Sequence, residues 1–128
     1  MQKPLPATPA PAAFDSLQAC AAALDAFNAE RDWGQYHNPR NLAMALSVEA
    51  NELLALYLWA KDEGPFPPVA SRAPAVADEA ADVLICLLNF CARAGVDLPA
   101  AFASKLARNA EKYPVTRACG RLEKSDEL

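Results

Sequence analysis

The sequence contains no alternating run of β-branched residues and only four glycines, so helices are favoured over sheet. No block of Lys or Arg is present and the net charge is -4. That removes the electrostatic footprint of a protein that binds polymeric nucleic acid. No apolar run is long enough to span a bilayer, and no membrane partner is expected. The N-terminus lacks a charged-then-apolar signal pattern, so a cytoplasmic location is expected. The ending Ser125-Asp126-Glu127-Leu128 is reminiscent of an ER-retrieval tail, but without such a signal it reads as coincidence. The four cysteines form no C-x-x-C step, and the single histidine, His37, cannot complete a zinc finger. Cys20, Cys86 and Cys91 lie in apolar helical surroundings and read as core thiols of a reducing compartment.

What is present is apolar and helical. With 128 residues, 53% of them hydrophobic, the chain is long enough for one domain with its own core. Repeated prolines over residues 1–13 (Pro4, Pro6, Pro9, Pro11) block regular structure and predict a flexible arm. A first helix is predicted over about 16–31, capped by Asp15 or Ser16, with an apolar stripe of Leu17, Cys20, Leu24 and Phe27. Residues 32–37 form a loop holding Trp33, Tyr36 and His37. Asn38-Pro39 is a cap followed by proline at the first helical position, and the second helix is predicted to reach about Lys61. Gly64, Pro65, Pro67 and Pro68 make a loop. A third helix over about 71–94 stops at Gly95. A fourth, capped by Asp97, runs to about Lys112 before Tyr113-Pro114. The domain thus covers residues 14–114 as four helices, with a loose tail over 115–128.

Two acidic steps stand at the centre of this plan: Glu49-Ala50-Asn51-Glu52 and Glu79-Ala80-Ala81-Asp82. Residues three apart share one helix face, so each step aims two carboxylates in one direction. Four carboxylates on two facing helices can hold a hard divalent cation, which prefers oxygen ligands. Glu49 and Glu52 fall within a packing seam, Leu42, Ala45, Glu49, Glu52, Leu56, Trp59. Leu46, Leu53, Leu54, Tyr57 and Leu58 make much of the remaining circumference apolar, which predicts a buried helix. Acids there are costly unless compensated, and a cation is the simplest compensation. On the third helix, Val76, Ala80, Val83, Leu87 and Phe90 mark an apolar face. Glu79, Asp82, Cys86 and Asn89 mark a second face, the natural partner of the seam. So much apolar surface on short helices predicts an oligomer centred on the second and third helices.

Other readings of the same residues stand beside this one. An E-x-x-E step is common on solvated helix faces. A di-iron bundle needs two E-x-x-H steps, which are missing. A non-catalytic helical oligomer, acting as a binding or scaffold module, would need the four acids only as relics or ion-pair partners. Taken singly, Trp33 and Trp59 suit core packing, His37 a loop hydrogen bond, and Lys105, Asn109 and Lys112 a solvated edge.

The acidic pattern resembles that of the MazG-like all-α nucleoside triphosphate pyrophosphohydrolases: E-x-x-E, a gap (26 residues here), then E-x-x-D. The likeness is greatest to the branch of that family acting on dCTP. It runs through residues 29–33, His37, residues 39–42, Leu58-Trp59, residues 82–85 and 96–99, Ser104-Lys105 and residues 109–114. It covers about residues 14–114. The resemblance implies Mg²⁺ held by Glu49, Glu52, Glu79 and Asp82. It also implies cleavage of a triphosphate, dCTP or a modified form of it, between its α and β phosphates. Trp33 and Trp59 would wall the base, with His37, Cys86 and Asn89 nearby. Lys105, Asn109, Lys112 and Tyr113 would face phosphate or sugar, with Arg40 and Lys61 as weaker candidates. The implied assembly is a homodimer or homotetramer, and a related enzyme acting on dUTP is the nearest alternative. Departures from the family pattern are Val48 and Asn51 at glycine positions, Leu24 at a histidine and Cys86 at a tyrosine.

Overall fold

Helix starts fall where side chains can satisfy the first free N–H groups. In the computed structural model, which describes residues 14–59 and 71–128, Ser16 Oγ accepts from the Ala19 N–H at 3.1 Å and opens α1 (Leu17–Glu30). Asn38 accepts from the Asn41 N–H at 2.9 Å and opens α2 (Pro39–Ala55). Asp97 accepts from the Ala100 N–H at 3.1 Å and opens α4 (Leu98–Lys112). Between these lies α3 (Ala73–Ala94), which ends on Gly95 in the left-handed region at φ 67°. The Val96 N–H then reaches back to the Cys91 carbonyl at 2.9 Å, closing the helix end. Among the described residues there is no strand.

Three features differ from the sequence reading. First, α2 stops at Ala55 rather than near Lys61. Its last bonds tighten to the i−3 pattern, with Leu56, Tyr57 and Leu58 donating to Leu53, Leu54 and Ala55. Residues 56–59 are therefore turn, and Trp59 leaves the seam at 95% exposure. Secondly, the loop before α2 contains a 3-10 helix (Trp33–Tyr36), entered through Asp32 at φ 51°. Trp33 meets Phe27 edge-on at 5.6 Å, and the Arg31 guanidinium covers the same ring at 3.6 Å. Thirdly, a fifth helix, α5 (Val115–Ala118), forms in the tail expected to be loose, and Arg117 donates to the Leu128 carbonyl oxygen. The proline arm, Lys61 and the loop around Gly64, Pro65, Pro67 and Pro68 lie outside the described residues.

The dominant packing is α2 against α3, with α1 laid on α3. Among the described residues, Leu42, Leu88 and Cys91 are the buried apolar ones, and Asn28 is the buried polar one. The Arg72 guanidinium lies 6.0 Å from the Tyr57 ring centroid, next to the start of α3. α4 leaves α3 through a bend of 102°. The reading of α2 as apolar and buried all round does not hold within one chain. Met44, Val48 and Leu54 are exposed, because only one face of α2 meets α3, and Leu58 is exposed in the turn that follows. The sequence stripe on α1 is likewise half open, with Leu17 and Phe27 exposed.

Candidate active site

The packing of α2 on α3 turns both acidic steps toward one point. One carboxylate oxygen each from Glu49, Glu79 and Asp82 lie within 4.8 Å of one another. Glu49 and Glu79 are half-buried, yet one oxygen of each, Oε2, is sealed from solvent and has no hydrogen-bond partner. A buried acceptor without a donor is rare and costly. Burial pushes both carboxyls above their ordinary value of 4.5. The neighbouring acids add to this: Glu52, then Asp82 and Glu79, act on Glu49, while Glu52, Asp82 and Asp78 act on Glu79. Of the neighbouring charges, that of Glu52 acts most strongly on both. Repulsion and orphaned oxygens are both relieved by a bound cation, and an all-oxygen donor set suits a hard divalent one. The Cys86 thiol sits one turn along α3 and is pushed up by burial, then by the charges of Glu49 and Asp82.

Beyond Cys86 the same face of α3 reaches a cleft of about 490 Å³, bounded by α1, the 3-10 helix and α3. Asp25, Asn28, Gly34, His37, Asn89 and Arg93 line it. Asn28 Nδ2 donates to Asn89 Oδ1 at 2.8 Å, tying α1 to α3. Arg93 Nη2 donates to the Gly34 carbonyl at 3.1 Å and fastens the 3-10 helix to the end of α3. A Cβ on Gly34 would lie 2.7 Å from that same guanidinium nitrogen, so glycine permits the approach. Asn28 and Arg93 escaped the sequence reading. Asn28 lies four residues beyond Leu24 on the inward stripe of α1, and a polar residue at such a position is the signal that could have flagged it.

None of the remaining candidates belongs to the cluster of Glu49, Glu79 and Asp82. Trp33 is at the cleft's 3-10 helix but packs on Phe27, and Trp59 projects into solvent. Lys105 and Lys112 line a separate groove on α4 with Arg108 and Glu111. Asn109 is half-buried on the same helix; Tyr113 and Arg40 are exposed.

A profile of the MazG-like family matches residues 44–128, which include all four acids. The chain belongs to the MazG-like family. The chain is 49% identical over 92 residues to mouse dCTP pyrophosphatase 1, covering 70% of this chain and 54% of that protein. To the human protein of the same name it is 44% identical over 104 residues, covering 80% and 61%. The match thus spans little more than half the length of these relatives. A crystal structure of a pyrophosphatase from Archaeoglobus fulgidus superposes with a TM-score of 0.70 at 35% identity, covering 77% of this chain and 92% of that one. In this MazG-like chain the two residues at glycine positions of the first motif do not crowd the acids. Val48 is exposed, and Asn51 folds back to donate to the Ser47 carbonyl at 2.7 Å on its own helix.

Proposed function

We propose that this MazG-like protein hydrolyses a deoxynucleoside triphosphate, dCTP or a modified cytosine form, to the monophosphate and pyrophosphate. The observation that carries the reading is the convergence of Glu49, Glu79 and Asp82 oxygens within 4.8 Å, two of these acids keeping a sealed, unpaired oxygen. Carboxylates held this close are costly without compensation, and their all-oxygen donor set suits a hard cation. Glu49, Glu52, Glu79 and Asp82 would hold Mg²⁺. When bound, Mg²⁺ supplies charge neutralisation on the phosphates and acidifies a coordinated water. Glu52 acts on Glu49 without belonging to the close triangle of the other three acids, and it would be the carboxylate to accept a proton from an attacking water. The names of the mouse and human relatives favour dCTP over other triphosphates.

The wider pocket follows from the same plan. His37 and Asn89 line the cleft, and Cys86 is on α3 between Asn89 and the acids, so these would face the nucleoside. Trp33 and Trp59 would wall the base. Lys105, Asn109, Lys112 and Tyr113 would meet phosphate or sugar; Lys105 and Lys112 line a groove made by α4 alone, which suits a homodimer or homotetramer in which a second copy supplies α4. Exposed Leu54, Leu58, Phe102 and Leu106 favour such an assembly. Four free cysteines fit the reducing cytoplasm as the place of action. The test is a pyrophosphate-release assay with dCTP, 5-methyl-dCTP, dTTP, dUTP, dATP and dGTP, in Mg²⁺ and then in EDTA. Release that EDTA stops, greatest for a cytosine nucleotide, is the expected result. Silence on all six from a folded oligomer would overturn the reading in favour of a binding module.

A further inference from the structure

We propose that the cleft between α1, the 3-10 helix and α3 holds the nucleobase, and that the Asn28–Asn89 amide pair on its wall selects bases carrying an amino donor beside a ring-nitrogen acceptor. The inference rests on the triphosphate reading above and adds the residues that choose the base.

Asn28 is 9% exposed, on the face of α1 turned toward α3. A buried amide is costly there unless it is hydrogen-bonded, and an apolar contact would join the two helices without that cost. Its Nδ2 donates to Asn89 Oδ1 at 2.8 Å. That bond fixes how Asn89 is presented: its oxygen is engaged and its Nδ2 donors are left for a partner. Asn89 lines the cleft, as do the carboxylates Asp25 and Asp32. The cleft therefore offers an amide donor together with carboxylate acceptors. Cytosine matches both: its amino group donates and its neighbouring ring nitrogen accepts. Adenine carries the same pair. Uracil and thymine present a carbonyl where the amino group would be, and a carboxylate has no proton to give it.

Position agrees with chemistry. Asn89 follows Asp82 by seven residues on one face of α3, which is about 10.5 Å along the axis. That offset puts phosphates at the acids and a base at the amide pair, with the sugar passing Cys86. The cleft volume of about 490 Å³ is ample for a base and its sugar.

The competing reading is that the pair only ties α1 to α3. Asn28→Ala alone strands Asn89, and Asn89→Ala alone strands a buried Asn28, so either can lower stability. The double variant Asn28→Ala/Asn89→Ala leaves no orphaned amide and is expected to stay folded. The full chain and the three variants are compared by thermal midpoint and by kcat/KM for dCTP, dATP, dUTP and dTTP. Binding of dCMP and dUMP is measured in parallel by calorimetry, which needs no turnover. The expected result is a preference of the parent for amino over oxo bases that falls about tenfold in the double variant and in Asn89→Ala, chiefly through KM. An unchanged preference with a lowered midpoint makes the pair a tie between helices and overturns the proposal, as does a parent that prefers dUTP. If the parent hydrolyses no triphosphate, the hydrolysis reading fails by itself. Tighter binding of dCMP than dUMP, levelled in the double variant, then still upholds the base reading, and equal binding overturns it.

Discussion

The acidic cluster should make this protein unusually sensitive to pH and divalent cations together, with opposite signs. Glu49 and Glu79 have their carboxyls held above the ordinary 4.5, so the folded chain binds protons more tightly there than the unfolded one. Their stabilising contribution is complete below 4.5 and is lost as pH rises through the raised values. The metal-free protein should therefore melt at a falling temperature as pH is raised above 4.5 and through the raised values, the reverse of a salt-bridged carboxylate. A bound cation needs these groups deprotonated, so its stabilisation should grow over the same range. At a concentration about 100 times its dissociation constant, a cation bound only by the folded state adds about 2.7 kcal/mol. For a domain of this size that corresponds to a rise of roughly 10 °C in the melting midpoint. Proton release on binding, up to one from each of Glu49 and Glu79, checks the same point by calorimetry in buffers of different ionisation enthalpy. Glu79→Gln separates the two effects. It removes a repelling charge and should raise the metal-free midpoint at neutral pH while abolishing most of the rise with Mg²⁺. The scans are run at one protein concentration, since association also shifts the midpoint. A metal-free midpoint that does not fall with pH, joined to a Glu79→Gln variant that still gains the full rise, would refute the reasoning.

Glu49→Ala and Asp82→Ala should each lower pyrophosphate release by at least about 100-fold while far-UV circular dichroism stays helical; retained turnover would remove them from the metal set. Gly34→Ala should push away the Arg93 guanidinium and cost about 1 kcal/mol, seen as a slightly lower midpoint and a raised KM, whereas Arg93→Ala alone should cost the same and the two together no more. Trp59→Ala should leave the stability of a single chain within about 0.5 kcal/mol and act on substrate affinity or assembly, because the ring is 95% exposed; a lone drop in midpoint without either effect would make it a core residue. Leu54→Lys, on the open face of α2, should be neutral in a monomer and should dissociate an oligomer, as read by light scattering across a dilution series.

Local rules carried the helix starts. Ser16, Asn38 and Asp97 each accept the bond that their type and position predict. Gly95 ends α3 for the expected reason, a left-handed residue without a Cβ penalty. The three-residue spacing put each pair of acids on one face of its own helix; the packing of α2 on α3 then brought Glu49, Glu79 and Asp82 together. What escaped was set by tertiary contact. The end of α2 could not be read because Leu56, Tyr57 and Leu58 suit a helix as well as they suit the tighter turn they adopt. Asn28 looked like one more polar residue near a helix end, and only the approach of Asn89, 61 positions away, gives it a role. The Arg93 bond to the Gly34 carbonyl, 59 positions apart, is of the same kind.

The error about burial on α2 points the same way as the unplaced residues of α4. Among the described residues only Leu42, Leu88 and Cys91 are buried apolar side chains, and none is below 2% exposure. A helix pair with Met44, Val48, Leu54 and Leu58 in solvent has its pattern written for more partners than one chain provides. α4 shows the complementary excess: Phe102 and Leu106 are exposed on a helix that bends away from the line of α3, and its lysines line a groove with Arg108 and Glu111. One association that covered α2 with a second copy and brought α4 to the carboxylates would bury the apolar faces and join cation, phosphate and base contacts in one site. In the proposed assembly the sequence pattern would fit, because periodicity records which faces are buried and not which molecule buries them.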